Sequence, residues 1–87
     1  MDKNQLIEAL REIVSPYTEE QLSLANLDEN TDFIVDLKIN SANLVDIVLD
    51  IEEKFGITID NDSMSRMLTV KTTVEIIESK LADNVGQ

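Results

Sequence analysis

The sequence predicts an all-α fold, a small four-helix bundle of three longer helices and one short one, with a long packed loop between the first two. Three observations carry this expectation. Apolar residues recur on a 3.6-residue period in three separate stretches. Only two glycines and one proline punctuate 87 residues, so turn material is scarce. Aromatic residues make up 3% of the chain, too few for the core of a strand-rich fold. A chain of this length has room for one core. Residues 1–87 therefore read as a single domain, with a tail from about 83 expected to fray.

In the first stretch Leu6, Ile7, Leu10, Ile13 and Val14 form one helical stripe, which Pro16 ends. From Pro16 to Asn40 the period is lost, although Leu22, Leu24, Leu27, Phe33, Ile34, Leu37 and Ile39 recur. This predicts a connection packed under its own apolar side chains. Its six acids, Glu19, Glu20, Asp28, Glu29, Asp32 and Asp36, against Lys38 give a net −5, read as solvated charge that keeps the loop off the core.

The strongest pattern follows, with Leu44, Ile47, Val48, Ile51 and Phe55 on one face. Asn40 or Ser41 is placed to cap its start and Gly56 to cap its end. Ile57 to Ile59 reads as an extended link, and Asp60 caps a brief helical turn through Met64 and Met67. Thr69 caps a last helix carrying Val70, Val74, Ile77 and Leu81 inward.

Composition narrows function sharply. A net charge of −11 repels phosphate backbones and anionic lipid, which points away from nucleic acid and membranes and towards basic partners. The chain has no cysteine and no histidine, removing thiolate chemistry, the commonest general base and the commonest zinc ligands. Neither Asp60-Asn61-Asp62 nor the run from Asp28 to Asp32 continues with the glycine and glutamate that a calcium loop needs. No stretch approaches the length of a membrane span. The expectation is a cytoplasmic monomer that is not an enzyme and has no metal site.

The second long helix carries a further apolar strip. Ala42, Val45 and Leu49 lie outside its core face, bordered by Asp46, Asp50 and Glu53. Read structurally, they cover the edge of a small core; read functionally, they insert into a partner whose basic surface the acids attract. Ser41 heads the same helix. It is either a cap, or a serine whose position beside free N–H groups suits a phosphodiester-linked group. On the residues alone both readings stay open, as does an unmodified acidic adaptor that binds a basic protein through this helix.

The segment from Asp36 to Ile57, with Asn40-Ser41-Ala42 at its centre and Glu52-Glu53-Lys54-Phe55-Gly56 near its end, resembles the signature of the acyl carrier proteins. Thr31 to Leu37 is similar to that family's loop entry, and Thr69-Val70 with Ile76-Ile77 to the start of its last helix. The resemblance implies a carrier whose Ser41 receives 4'-phosphopantetheine from coenzyme A through a phosphopantetheinyl transferase. The arm would then present acyl thioesters to the acyl-transferring and condensing enzymes of fatty-acid, lipid or polyketide-type biosynthesis. It further implies partner docking through Asn40, Ala42, Val45, Asp46, Leu49, Glu52 and Glu53, and an interior lined by Ile47 and Ile51 that can sheath an acyl chain. The sequence departs from the family pattern at Lys38, Asn40 and Ala42, where glycine, aspartate and leucine are usual, which implies a specialised carrier.

Overall fold

The computed structural model describes residues 2–85, with side chains through 82. Its helices in order are α1 (Lys3–Val14), α2 (Gln21–Ala25), α3 (Asn43–Phe55), α4 (Asn61–Ser65) and α5 (Val70–Val85). The expected bundle of three longer helices and a short one, α4, is present, and a further single-turn helix, α2, lies within the expected loop. A single turn has room for one inward position, filled here by Leu24, while Leu22 is 81% exposed, so no period can show in the sequence. The three long helices fall where their stripes place them. The backbone of α5 is helical through Val85, and the end of the expected frayed tail, Gly86 and Gln87, lies outside the described residues.

Helix α1 starts on a capping box in which Asp2 accepts from the Gln5 N–H at 2.8 Å and Gln5 accepts from the Asp2 N–H at 3.1 Å. Leu6, Ala9, Leu10 and Val14 are buried along it, and α1 packs against both α3 and α5. Pro16 then sits in a 3₁₀ turn, Ser15–Tyr17, where its missing N–H is tolerated.

The connection from Thr18 to Asn40 is packed as expected, with Leu24, Leu27, Phe33, Leu37 and Ile39 buried. Its acids do more than face solvent, which corrects the expectation of purely solvated charge. Asp32 accepts from the N–H groups of Ile34 and Val35 at 2.8 Å each, Asp36 from that of Asp32 at 2.8 Å, and Asp28 from that of Asn30 at 2.9 Å. Each carboxylate thus closes a turn and satisfies backbone that no regular element satisfies. The loop is also tied to the head of α5. Asp32 and Thr69 form an isolated antiparallel bridge. Around it Phe33 donates to the Leu68 carbonyl at 2.9 Å, Val70 to that of Thr31 at 3.0 Å and Lys71 to that of Glu29 at 3.0 Å.

Lys38 has φ +54°, the left-handed region, and its ammonium lies 3.9 Å from the exposed Glu20 carboxylate. That backbone costs an L side chain about 1–2 kcal/mol, and glycine gives back part of the gain through its freer unfolded chain. Lys38→Gly is therefore expected to stabilise the protein by about 0.5–1 kcal/mol. Thermal unfolding checks this; a lower melting temperature would show that the Lys38–Glu20 contact outweighs the backbone term.

Gly56 closes α3 at φ +65°, with its N–H on the Glu52 carbonyl, as its position predicts. Ile57 and Ile59 are buried along the extended link. Asp60 caps α4, and the hydroxyl and N–H of Ser63 hold its carboxyl below the usual carboxylate range. Thr69 caps α5 by accepting from the Thr72 N–H at 3.3 Å. Most buried polar side chains find partners. Thr18 donates to the Leu37 carbonyl at 2.6 Å, Thr31 accepts from the Asp28 N–H at 3.0 Å, and Ser63 pairs with Asp60. The Thr73 hydroxyl, on a fully buried residue of α5, has none among the described residues. A hydroxyl buried unpaired costs about 1–3 kcal/mol.

Candidate functional site

The chain enters α3 through a turn. Asn43 donates to the Asn40 carbonyl at 2.8 Å and Leu44 to that of Ser41 at 3.1 Å, while the Asn40 side chain accepts from the Ala42 N–H at 2.9 Å. Ala42 holds the N-cap position with φ −63° and ψ −28°, already helical, and no side chain caps the helix. A capping serine needs extended backbone at the cap itself. Of the two residues expected to cap the start of α3, Ser41 makes no cap, while Asn40 closes the turn one step before the helix. Ser41 is exposed, and its hydroxyl has no hydrogen-bond partner among the described residues.

From Ser41 a ridge runs down the outer face of α3. Residues four apart stack on one side of a helix, so Ser41, Val45, Leu49 and Glu53 share a line, with Ala42 and Asp46 beside it. Val45 is 50% and Leu49 56% exposed, and Ala42, Asp46 and Glu53 are exposed too. The strip found from residue spacing is therefore a surface, and the reading that it covers the core's edge does not hold.

Two acids of the helix are used otherwise. The carboxylate of Glu52 accepts from the Ile59 N–H at 2.6 Å, holding the link after α3, so Glu52 stands apart from the exposed ridge. Asp50 accepts from the Tyr17 hydroxyl at 2.9 Å, tying the 3₁₀ turn to α3. That hydrogen bond, with burial and the Asp50 charge, pushes the Tyr17 phenol above its ordinary pKa. Sequence reasoning missed both contacts, because each depends on where a distant segment passes.

Beside the approach to Ser41, Tyr17, Leu37, Lys38, Asn40 and Asn43 border an open groove of about 530 Å³. Lys38 is the only cation between Arg11 and Lys54 in sequence, and it lies on this groove. On the inner face of α3, Ile47 and Ile51 are buried together with Val48. Among the described residues no helix is long and apolar enough to cross a membrane.

A nucleophilic serine is activated by a base within hydrogen-bond reach, and among the described residues Ser41 has none. An exposed hydroxyl at the head of an acidic, partly apolar ridge instead suits a protein that is modified by others and then recognised by them. Comparison with known proteins agrees. The family model for the phosphopantetheine attachment site matches residues 8–78. The acyl carrier protein of Coprothermobacter proteolyticus is 30% identical over 84 residues, covering 93% of this chain and 96% of its own length. Polyketide-8 synthase acyl carrier protein 2 of Streptomyces avermitilis is 25% identical over 83 residues, covering 95% of this chain and 88% of its own. The crystal structure of the Thermotoga maritima acyl carrier protein superposes with a TM-score of 0.81 at 27% identity, covering 97% of this chain and 95% of that one.

The chain belongs to the acyl carrier protein family. It is a carrier of acyl groups on phosphopantetheine and not an enzyme, and its role is to meet biosynthetic enzymes.

Proposed function

We propose that Ser41 is the residue that carries 4'-phosphopantetheine, and that the ridge of Ala42, Val45, Asp46, Leu49 and Glu53 is the face on which partner enzymes dock. The observation that carries this reading is the exposed, unpartnered Ser41 hydroxyl at the head of that ridge. On modification the Ser41 oxygen forms a phosphodiester bond while the pyrophosphate linkage of coenzyme A breaks and the nucleotide leaves. The hydroxyl gives up no internal bond for such a group, and the adjoining groove has room, its lining carrying the Lys38 ammonium together with the Glu19 and Glu20 carboxylates. The arm supplies the thiol that this cysteine-free chain lacks.

The direct test is intact mass. Incubated with coenzyme A and a broad-specificity phosphopantetheinyl transferase, the protein is expected to gain one phosphopantetheine; no gain with several transferases would end the proposal.

Docking has its own test. Asp46 and Glu53 are exposed and accept no hydrogen bond among the described residues, so reversing both charges leaves the bundle intact while removing the attraction to a basic surface. Asp46→Lys with Glu53→Lys is expected to lower kcat/KM for transferase loading on the order of tenfold or more, with a weaker dependence on salt. Unchanged loading at low ionic strength would move the docking face elsewhere. Glu52, held by Ile59, is proposed to act on partners only through the shape of the helix end.

A further inference from the structure

Lys38 holds a left-handed backbone that glycine would adopt without strain, and such an outlier is a pointer to function. The fold itself makes little use of the side chain. Among the described residues its ammonium meets only the Glu20 carboxylate, at 3.9 Å, with the two side chains 71% and 41% exposed. An exposed pair of that kind contributes little to stability.

The place of the residue says more. Only Ile39 and Asn40 separate it from Ser41, and three residues of chain span at most about 11 Å, close to the screening length of about 10 Å at 0.1 M salt. Asn40 and Asn43 flank Ser41 in sequence, and Lys38 lines one groove with both. An enzyme surface that reaches the Ser41 hydroxyl therefore enters the field of the Lys38 ammonium. The sign of that charge is the exception in this part of the chain: from Glu12 to Glu53 there are eleven acids and this one cation.

We propose that Lys38 is a specificity-determining residue for the loading of Ser41, disfavouring enzymes whose docking surface is basic throughout and favouring one that sets a carboxylate opposite it. This rests on the reading that the arm is attached at Ser41 and that partners dock on the α3 ridge. Discrimination of this kind needs a repulsive element beside the attractive one. Asp46 and Glu53 draw basic surfaces in general, and Lys38 sorts among them. The partner that fits is an enzyme with cations facing the ridge and an acidic side chain facing the groove.

The test uses the full chain, coenzyme A and a broad-specificity phosphopantetheinyl transferase that is slowed by Asp46→Lys with Glu53→Lys, and hence docks through basic groups. Loading of wild type, Lys38→Arg, Lys38→Gln, Lys38→Gly and Lys38→Glu is followed by intact mass. At low salt Lys38→Gln is expected to raise kcat/KM about threefold and Lys38→Glu about tenfold, with both gains shrinking at roughly 0.5 M salt. Lys38→Arg keeps the wild-type rate, and Lys38→Gly, which also relieves the backbone, matches Lys38→Gln, so that the effect follows charge and not strain. Rates that are equal across the series, or that fall as the positive charge is removed, overturn the proposal. Among single charge reversals of the transferase's basic docking side chains, one is expected to load wild type faster than Lys38→Glu; a full set without such a reversal also overturns it. If Ser41 is never loaded, or the double reversal on α3 slows no transferase, the underlying reading falls and this one with it. If both of those hold and the Lys38 series is flat, only the role of Lys38 falls.

Discussion

Ser41→Ala keeps its unmodified mass after incubation with coenzyme A and transferase under conditions that convert the wild type completely. The expected effect is total, because the substitution deletes the one oxygen that forms the new bond. It is also clean. The Ser41 side chain makes no contact that holds the fold, and exposed substitutions of this kind change stability by less than about 0.5 kcal/mol. Among the other serines Ser63 is buried and the Ser65 hydroxyl donates to the Asp62 carbonyl at 2.7 Å, whereas Ser15 and Ser79 are exposed as Ser41 is. A mass gain that persists in Ser41→Ala would place the attachment elsewhere, and peptide mapping would then find it.

Phe33→Ala is expected to remove about 3–5 kcal/mol, the usual loss for emptying a fully buried aromatic site. Phe33 is 1% exposed and the largest of the fully buried side chains. Small domains hold only about 5–15 kcal/mol in total, so the variant should sit close to its unfolding threshold. The main-chain bonds of Phe33, from its N–H to the Leu68 carbonyl and from the Ile39 N–H to its own carbonyl at 3.0 Å, are kept by alanine, so the loss reads the side chain alone. Urea unfolding measures the loss. A change below about 1 kcal/mol would mean that the neighbours collapse into the space and that this side chain is not a pillar of the core.

Much of this fold was legible because α1, α3 and α5 are long enough for a period of 3.6 to repeat, and most of their buried residues are those of the stripes, with Ala9, Thr73 and Ile76 buried besides. Helix α2 was not, since five residues give one inward leucine and no recurrence. The loop acids had a local signal: an aspartate two or three residues before open backbone N–H groups is a turn former, and Asp32 with Ile34 and Val35 fits that rule. The exposed ridge on α3 was legible from angles alone. The role of Glu52 was not, because its partner Ile59 meets it only once the chain has turned back after Gly56. Nor was Ser41's freedom from capping, since capping and attachment ask for the same residue at the same end of a helix. Thr73 falls on the inward stripe of α5 with Val70, Val74 and Ile77, but its unpaired hydroxyl was not legible there, since the Thr69 carbonyl is taken twice.

The bridge between Asp32 and Thr69 bears on how the molecule opens. The first N–H groups of α5 are satisfied by carbonyls of Thr31 and Glu29, from a segment distant along the chain. The head of that helix is therefore not completed by its own sequence, and closing the loop must precede or accompany it. Loop and helix start then form one cooperative unit, exposed and reclosed together, while the far turns of α5 are free to breathe separately. Residues 29–33 and 68–71 would thus share a single protection against amide exchange, set by one opening event and not by two.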